Sequence, residues 1–238
     1  MIVPAYDRAD LTEQCLTALR DLDGAERVLV DNGSTDRTPD LYPLADTVVR
    51  FDNNLGFAAG CNWGAYRARG DRLVFLNNDT IPQPGWLTPL TRALDGVACA
   101  GSLLVYPDGL VQHAGVRLQE VNGTLTAFNI GRGQPLGPDL LVARDVEAVT
   151  GACLAITKHA FWHAQGFDEG YWNGYEDVDL CLKLRAKGYR IRYVPESRVV
   201  HLESESGPAR WTAVRQNVVR LQEKWGERWQ QIPATSSP

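Results

Sequence analysis

Arg27-Val28-Leu29-Val30-Asp31-Asn32-Gly33-Ser34-Thr35-Asp36 is the stretch from which the rest of the chain is read. Val28-Leu29-Val30 is a continuous apolar run, too short for a helix and cut by a polar turn cluster, the mark of a strand buried on both faces. Downstream, the pattern predicts a helix with Ser34 or Thr35 as its cap, a strand over Thr47 to Phe51, a helix over Ala58 to Arg69 and a strand over Arg72 to Leu76. Upstream, Leu11, Cys15, Ala18, Leu19 and Leu22 have helical spacing, and Ile2-Val3 is a short apolar piece cut off by Pro4. Strands alternating with helices imply an α/β fold, a mainly parallel sheet flanked by helices. Ligands of such sheets bind beyond the carboxyl ends of the strands. Three polar loops stand there: Pro4-Ala5-Tyr6-Asp7, Asp31-Asn32-Gly33-Ser34 and Asn77-Asn78-Asp79-Thr80.

The second half is less regular. Residues 101–144 are rich in Gly and Pro with extended pieces, and Leu118 to Pro138 reads as a loop-rich excursion. A helix over Asp177 to Lys187 and a strand over Arg190 to Val194 follow, then a last helix marked by Trp211, Val214, Val218, Leu221, Trp225 and Trp229. The expectation is one domain over 1–238: a ligand-binding half to about 100, an irregular half to about 205 and a helical segment over about 206–232. Lys and Arg number 24 against 29 Asp and Glu, a net charge of -5 that speaks against nucleic acid as a partner. The five cysteines are scattered with no C-x-x-C pair, which disfavours a zinc knot or disulfide framework and suits a reducing cytoplasm. No apolar run approaches the ~20 residues of a membrane span.

Several segments together resemble the inverting glycosyltransferases of family 2, with the GT-A fold, and within them a bacterial rhamnosyltransferase-like group. They are Pro4-Ala5-Tyr6, Val30 to Asp36, Asn54 to Asn62, Leu76-Asn77-Asn78-Asp79, Gly166-Phe167-Asp168-Glu169, Gly174 to Leu180, and His201, in family order to about residue 205. The resemblance implies transfer of one hexose at a time from a UDP-, dTDP- or GDP-sugar to a saccharide or lipid-linked saccharide. The setting would be glycan or surface polysaccharide assembly in the cytoplasm, with contact at the inner membrane face left open. The absence of a membrane helix after the catalytic segments disfavours processive synthesis.

Pro4, Tyr6, Asp31, Asn54, Asn62, Asn77 and Asn78 become the nucleotide-binding candidates. Asp31 can accept hydrogen bonds from a base imide or ribose hydroxyls, but Asp-Asn-Gly-Ser is equally good turn chemistry. Tyr6 lines the base or packs; Asn54 to Asn62 lies beside the nucleotide or opens a helix. Asp7 stands where the family commonly has Asn. Asn77-Asn78-Asp79 occupies the place of the family's Asp-x-Asp metal motif with its first carboxylate replaced, or forms an Asx-turn. Asp79 is the expected ligand of Mn2+ or Mg2+, helped by His201, whose bland reading is a hydrogen-bonded structural residue. In Glu176-Asp177-Val178-Asp179, acidic residues at a helix start are stabilised by the backbone dipole alone. The resemblance makes Asp177 the general base and Glu176 its acceptor-orienting neighbour; Glu176 and Asp179, three apart, share a face in an ideal helix. Gly151, Ala152 and Trp172 are the acceptor-side candidates, or a buried strand and a turn. Arg210, Arg215 and Lys224 read as surface charge. Two other classes remain: a non-catalytic nucleotide-sugar or carbohydrate-binding module, kept alive by Asn77, and a sugar nucleotidyltransferase, disfavoured by the lack of a Gly-rich basic loop after the first strand.

Overall fold

The computed structural model describes residues 1–22, 24–203 and 209–233, the side chains of 209–212 excepted. In chain order the elements are β1 (Ile2–Ala5), α1 (Ala9–Ala18), β2 (Val28–Asp31), β3 (Thr47–Arg50), α2 (Gly56–Arg67), β4 (Arg72–Leu76), β5 (Thr80–Pro82) and α3 (Leu87–Ala93). There follow β6 (Cys99–Val105), β7 (Val111–His113), β8 (Val116–Val121), β9 (Thr124–Asn129), β10 (Arg144–Asp145), β11 (Cys153–Thr157), α4 (Lys158–His163), α5 (Glu176–Ala186), β12 (Ile191–His201) and α6 (Ala209–Trp225). Among the described residues no helix is long and apolar enough to cross a membrane.

One mixed sheet runs β10-β12-β6-β11-β4-β1-β2-β3, with β5 beside β12 and β7 beside β6. Strands β4, β1, β2 and β3 are parallel to one another, as are β6 and β12; β11 is inserted antiparallel between β4 and β6. Side-chain alternation sorts the core into two layers. Ile2, Val28, Val30 and Phe75 face α2, α4 and α5 on one side, while Val3, Leu29 and Leu76 face α1 and α3 on the other. All five cysteines are free and buried within these layers.

Pro4 lies inside a central strand, a position that normally requires an N–H on both sides. The carbonyls of Met1 and Ala5 point to β2, so by alternation Pro4 faces β4, and β1 is paired with β4 only at Ile2. The missing donor therefore falls where the sheet has already parted. That parting opens toward the cleft.

Four local expectations are corrected. No α-helix follows Ser34 and Thr35: the segment is a 3-10 helix, Thr38–Leu44, in which Pro43 removes an interior donor that an α-helix needs. Ser34 instead accepts the Asp7 N–H, 2.9 Å. The expected loop at Leu118 to Pro138 contains an antiparallel hairpin, β8–β9, turned by Asn122 and Gly123 at φ 52° and 78°. The strand expected to end at Val194 continues through an irregularity between Val194 and Arg198 to His201. The last helix ends at Trp225, with Trp229 in a following 3-10 turn; Trp211 and Arg210 lie outside the described side chains.

Candidate active site

The topology brings the ends of β1, β4 and β12 and the start of β11 to one edge of the sheet, around a cleft of about 470 Å³. Of the sequence candidates, Pro4, Tyr6, Asn54, Asn77, Asn78, Asp79, Gly151, Ala152, Trp172, Glu176, Asp177 and His201 line it. Asp31 and Asn62 do not.

Asp31 has no exposed surface. Its Oδ1 accepts the Ser34 N–H at 2.8 Å, and its Oδ2 accepts from the Tyr42 hydroxyl at 2.7 Å and from Arg50. Both oxygens are thereby committed to holding the β2 turn. Asn62 points from α2 toward residues 166–169: Oδ1 accepts the Phe167 N–H, and Nδ2 donates to the Phe167 carbonyl and to Glu169, all at 2.9 Å. Asn32, not singled out from sequence, does face the cleft and ties Asn54 and Leu55 in place (3.0 and 2.9 Å).

On the opposite wall, Asn173, Gly174 and Tyr175 take positive φ in succession (49°, 145°, 72°) and deliver α5 into the cleft. Glycine alone adopts the middle value at little cost. Asn217 of α6 pins this turn: its amide donates to the Trp172 and Gly174 carbonyls at 2.9 and 2.8 Å and accepts the Trp172 N–H at 3.1 Å. Asn217 gave no sequence signal beyond its place on an amphipathic helix.

Asp177 is held in the cleft by two backbone donors. Oδ2 accepts the Gly151 N–H and Oδ1 the Val178 N–H, both at 2.8 Å, and the nearby Thr150 hydroxyl further favours the charged form. Burial pushes its pKa up against these bonds. Glu176, 5% exposed, accepts the Gly174 N–H at 2.6 Å; burial first, and then the Asp177 charge, raise it to about 8. A carboxyl protonated at neutral pH can donate a hydrogen bond as well as accept one.

Glu176 and Asp179 do not share a face at the site. Asp179 is fully buried away from the cleft, bonded to the Trp225 indole at 2.8 Å and paired with Lys224 at 2.7 Å. Lys224, read as surface charge, thus bridges Asp179 and Asp168, while Arg215 is exposed. Lys224 and Arg220 hold Asp168 far below the ordinary carboxylate range against its burial.

The metal candidates meet across β5 and β12, where Thr80 pairs with His201. His201 Nδ1 lies 2.6 Å from the Gln112 Oε1 and therefore carries the proton, leaving the Nε2 lone pair 3.1 Å from an Asp79 oxygen. Two acceptors at that distance repel unless a proton or cation lies between them. A carboxylate and an oriented imidazole are a suitable donor pair for Mn2+ or Mg2+. Among the described residues no group of three or more His, Cys, Asp or Glu could hold a metal ion. Gln112 is in turn held by Glu203 at 3.3 Å, which also pairs with Arg132. None of these three was found from sequence; an amide beside a buried histidine in a short strand is a weak signal.

Residues 1–136 match the sequence model described as "Glycosyl transferase family 2", and 140–205 match one described as "N-terminal domain of galactosyltransferase". The O-antigen biosynthesis protein RfbC of Myxococcus xanthus is 33% identical over 87% of this chain and 17% of its own length. An N-acetylglucosaminyl-diphospho-decaprenol L-rhamnosyltransferase of Mycobacterium tuberculosis is 28% identical over 75% of this chain and 67% of its own. The chain spans 17%, 27% and 42% of the length of the first curated relatives it matches. In fold it is similar to GalNAc-T7 solved with UDP, GalNAc and Mn2+ (TM-score 0.75, 20% identity, 96% of this chain and 48% of that one). It is also similar to the mannosyltransferase PcManGT of Pyrobaculum calidifontis solved with GDP-Man and Mn2+ (TM-score 0.67, 20% identity, 100% and 64%).

Proposed function

The chain belongs to glycosyltransferase family 2, and from that premise we propose that it transfers a single sugar from a nucleotide-diphosphate sugar to a hydroxyl acceptor with inversion at the anomeric carbon. The observation that carries this reading is one cleft holding two separate carboxylate centres, Asp177 on the α5 wall and Asp79 with His201 on the β4–β12 wall. The first suits an acceptor, the second a diphosphate.

In this reading Pro4, Tyr6, Asn54, Asn77 and Asn78 flank the nucleotide. Asp79 and His201 would hold a divalent cation, Mn2+ or Mg2+, which would supply counter-charge to the departing diphosphate. Asp177 accepts the acceptor hydroxyl's proton as that oxygen attacks the anomeric carbon from the side opposite the leaving group. The Gly151 and Val178 backbone donors aim the carboxylate, so its geometry is fixed before the acceptor arrives. Glu176, protonated, donates to an acceptor oxygen, and Trp172 offers an apolar ring face to a sugar. The acceptor is proposed to be a saccharide or lipid-linked saccharide in surface polysaccharide assembly, reached from the cytoplasmic side of the membrane.

Purified protein is to be screened with UDP-, GDP- and dTDP-sugars with and without Mn2+. Asp177→Asn is expected to lower turnover by ~100-fold or more, within the range of a lost general base. The donor affinity of this variant should stay within a few-fold. Unchanged turnover would remove Asp177 as base. Nucleotide-sugar binding without turnover in the unaltered protein would favour the non-catalytic binding module.

A further inference from the structure

His113 closes β7 with no exposed surface. Its Nδ1 is 3.2 Å from the Ser102 carbonyl oxygen and its Nε2 is 3.2 Å from the Thr150 backbone nitrogen. A carbonyl oxygen only accepts and an amide N–H only donates, so the ring carries its proton on Nδ1 and its lone pair on Nε2. Burial, reinforced by His201 and partly offset by the Ser102 carbonyl, pulls the imidazole down to about 4. The ring is neutral, in one tautomer, and anchored at both ends.

What it anchors is the turn beneath Asp177. Thr150 gives its N–H to His113, Gly151 gives its N–H to Asp177 Oδ2 at 2.8 Å, and the Ala152 carbonyl accepts the Asn77 N–H at 3.0 Å. Gly151 has no side chain to restrain its backbone, and a larger residue would press on its neighbours. A Cβ there would lie 3.1 Å from the Phe57 ring. A glycine turn visits many conformations unless a neighbour is fixed.

We propose that His113 is a positioning residue for Asp177: by fixing the Thr150 backbone it keeps the Gly151 amide on the carboxylate. The catalytic meaning of this rests on Asp177 being the base, but the positioning itself is measurable without turnover.

The test uses the full chain labelled with 13C at Asp carboxyls, the Asp177 signal being the one lost in Asp177→Asn. His113→Phe keeps a ring and removes the acceptor for Thr150. The expected result is an Asp177 titration midpoint raised by about one pH unit or more, because hydrogen bonds to the charged form are lost. His113→Gln, whose amide oxygen can accept the Thr150 N–H, should return most of that shift. An unchanged midpoint in folded His113→Phe overturns the proposal. Should that variant not fold, imidazole 15N spectra of the unaltered chain decide: a single Nδ1–H tautomer supports it, and an Nε2–H or averaged ring overturns it. In transfer assays with the active nucleotide sugar, His113→Phe should lower kcat at least tenfold with donor KM within twofold; the reverse pattern counts against it. Absence of turnover from every nucleotide sugar in the unaltered chain would sink the transferase reading, while the Asp177 midpoint still judges His113.

Discussion

Asn62→Ala separates two readings of one side chain. The sequence places its amide beside a nucleotide; the structure uses it to clamp residues 166–169. Alanine leaves the Phe167 N–H and carbonyl without their partners, and Phe167 is only 2% exposed, whereas the third partner, Glu169, can turn to water. A buried polar group left unmade costs roughly 1–3 kcal/mol. With partial water access through the space Asn62 vacates, the two groups together should cost about 2–3 kcal/mol. For an m-value of about 2–3 kcal/mol/M the urea midpoint, followed by tryptophan fluorescence, should fall by about 1 M. Calorimetric binding of UDP with Mn2+ should stay within twofold, because Asn62 does not line the cleft. A midpoint unmoved within ~0.2 M, well below the shift worked out above, together with a tenfold loss of UDP affinity would refute the clamp and return Asn62 to the nucleotide.

Other perturbations test the carboxylates, the cation and the backbone. Glu176, raised from 4.5 to about 8, keeps in the folded chain a proton that the unfolded chain has lost between those values. Stability therefore falls as pH rises through that window, and Glu176→Gln should flatten the fall of Tm between pH 5 and 9; an unchanged slope would count against its burial. Gln112→Ala frees the His201 ring to rotate and should weaken Mn2+ binding, measured by paramagnetic resonance, by about 10–100-fold, as Asp79→Ala should also do. Gln165 sits exposed at φ 65° after α4, so Gln165→Gly should stabilise the chain by about 1 kcal/mol in urea unfolding; a destabilised variant would contradict the strain argument.

The parallel strands were legible because each is an apolar run ended by a polar loop, as at Val28 to Val30 and Leu73 to Leu76. The same loops place Asn77, Asn78 and Asp79 at the cleft. Asp31 and Asn62 show where that reading stops. An Asp that closes a turn and one that receives a nucleotide use the same residue type after the same kind of strand. Only the partners, here Tyr42 and Arg50 for Asp31, tell them apart. The β8–β9 hairpin did carry a signal, Asn122-Gly123 between alternating residues, which the surrounding Gly and Pro content obscured. Gln112, His113 and Asn217 act through partners distant in sequence, and no local pattern reports such contacts.

The antiparallel placement of β11 bears on how the chain must be made. Its partners β4 and β6 are synthesised before it: until it arrives β4 has one bare edge, with residues such as Val74 and Phe75, and β6 lacks both β11 and the still later β12. A nascent or truncated chain stopping at residue 136, where the family 2 match ends, leaves β4 with an unpaired margin and β6 without β11 or β12. Such a fragment should aggregate, and the 238-residue chain should fold slowly, waiting on a late, long-range insertion. The border between the two sequence matches, at 136–140, is no place to cut.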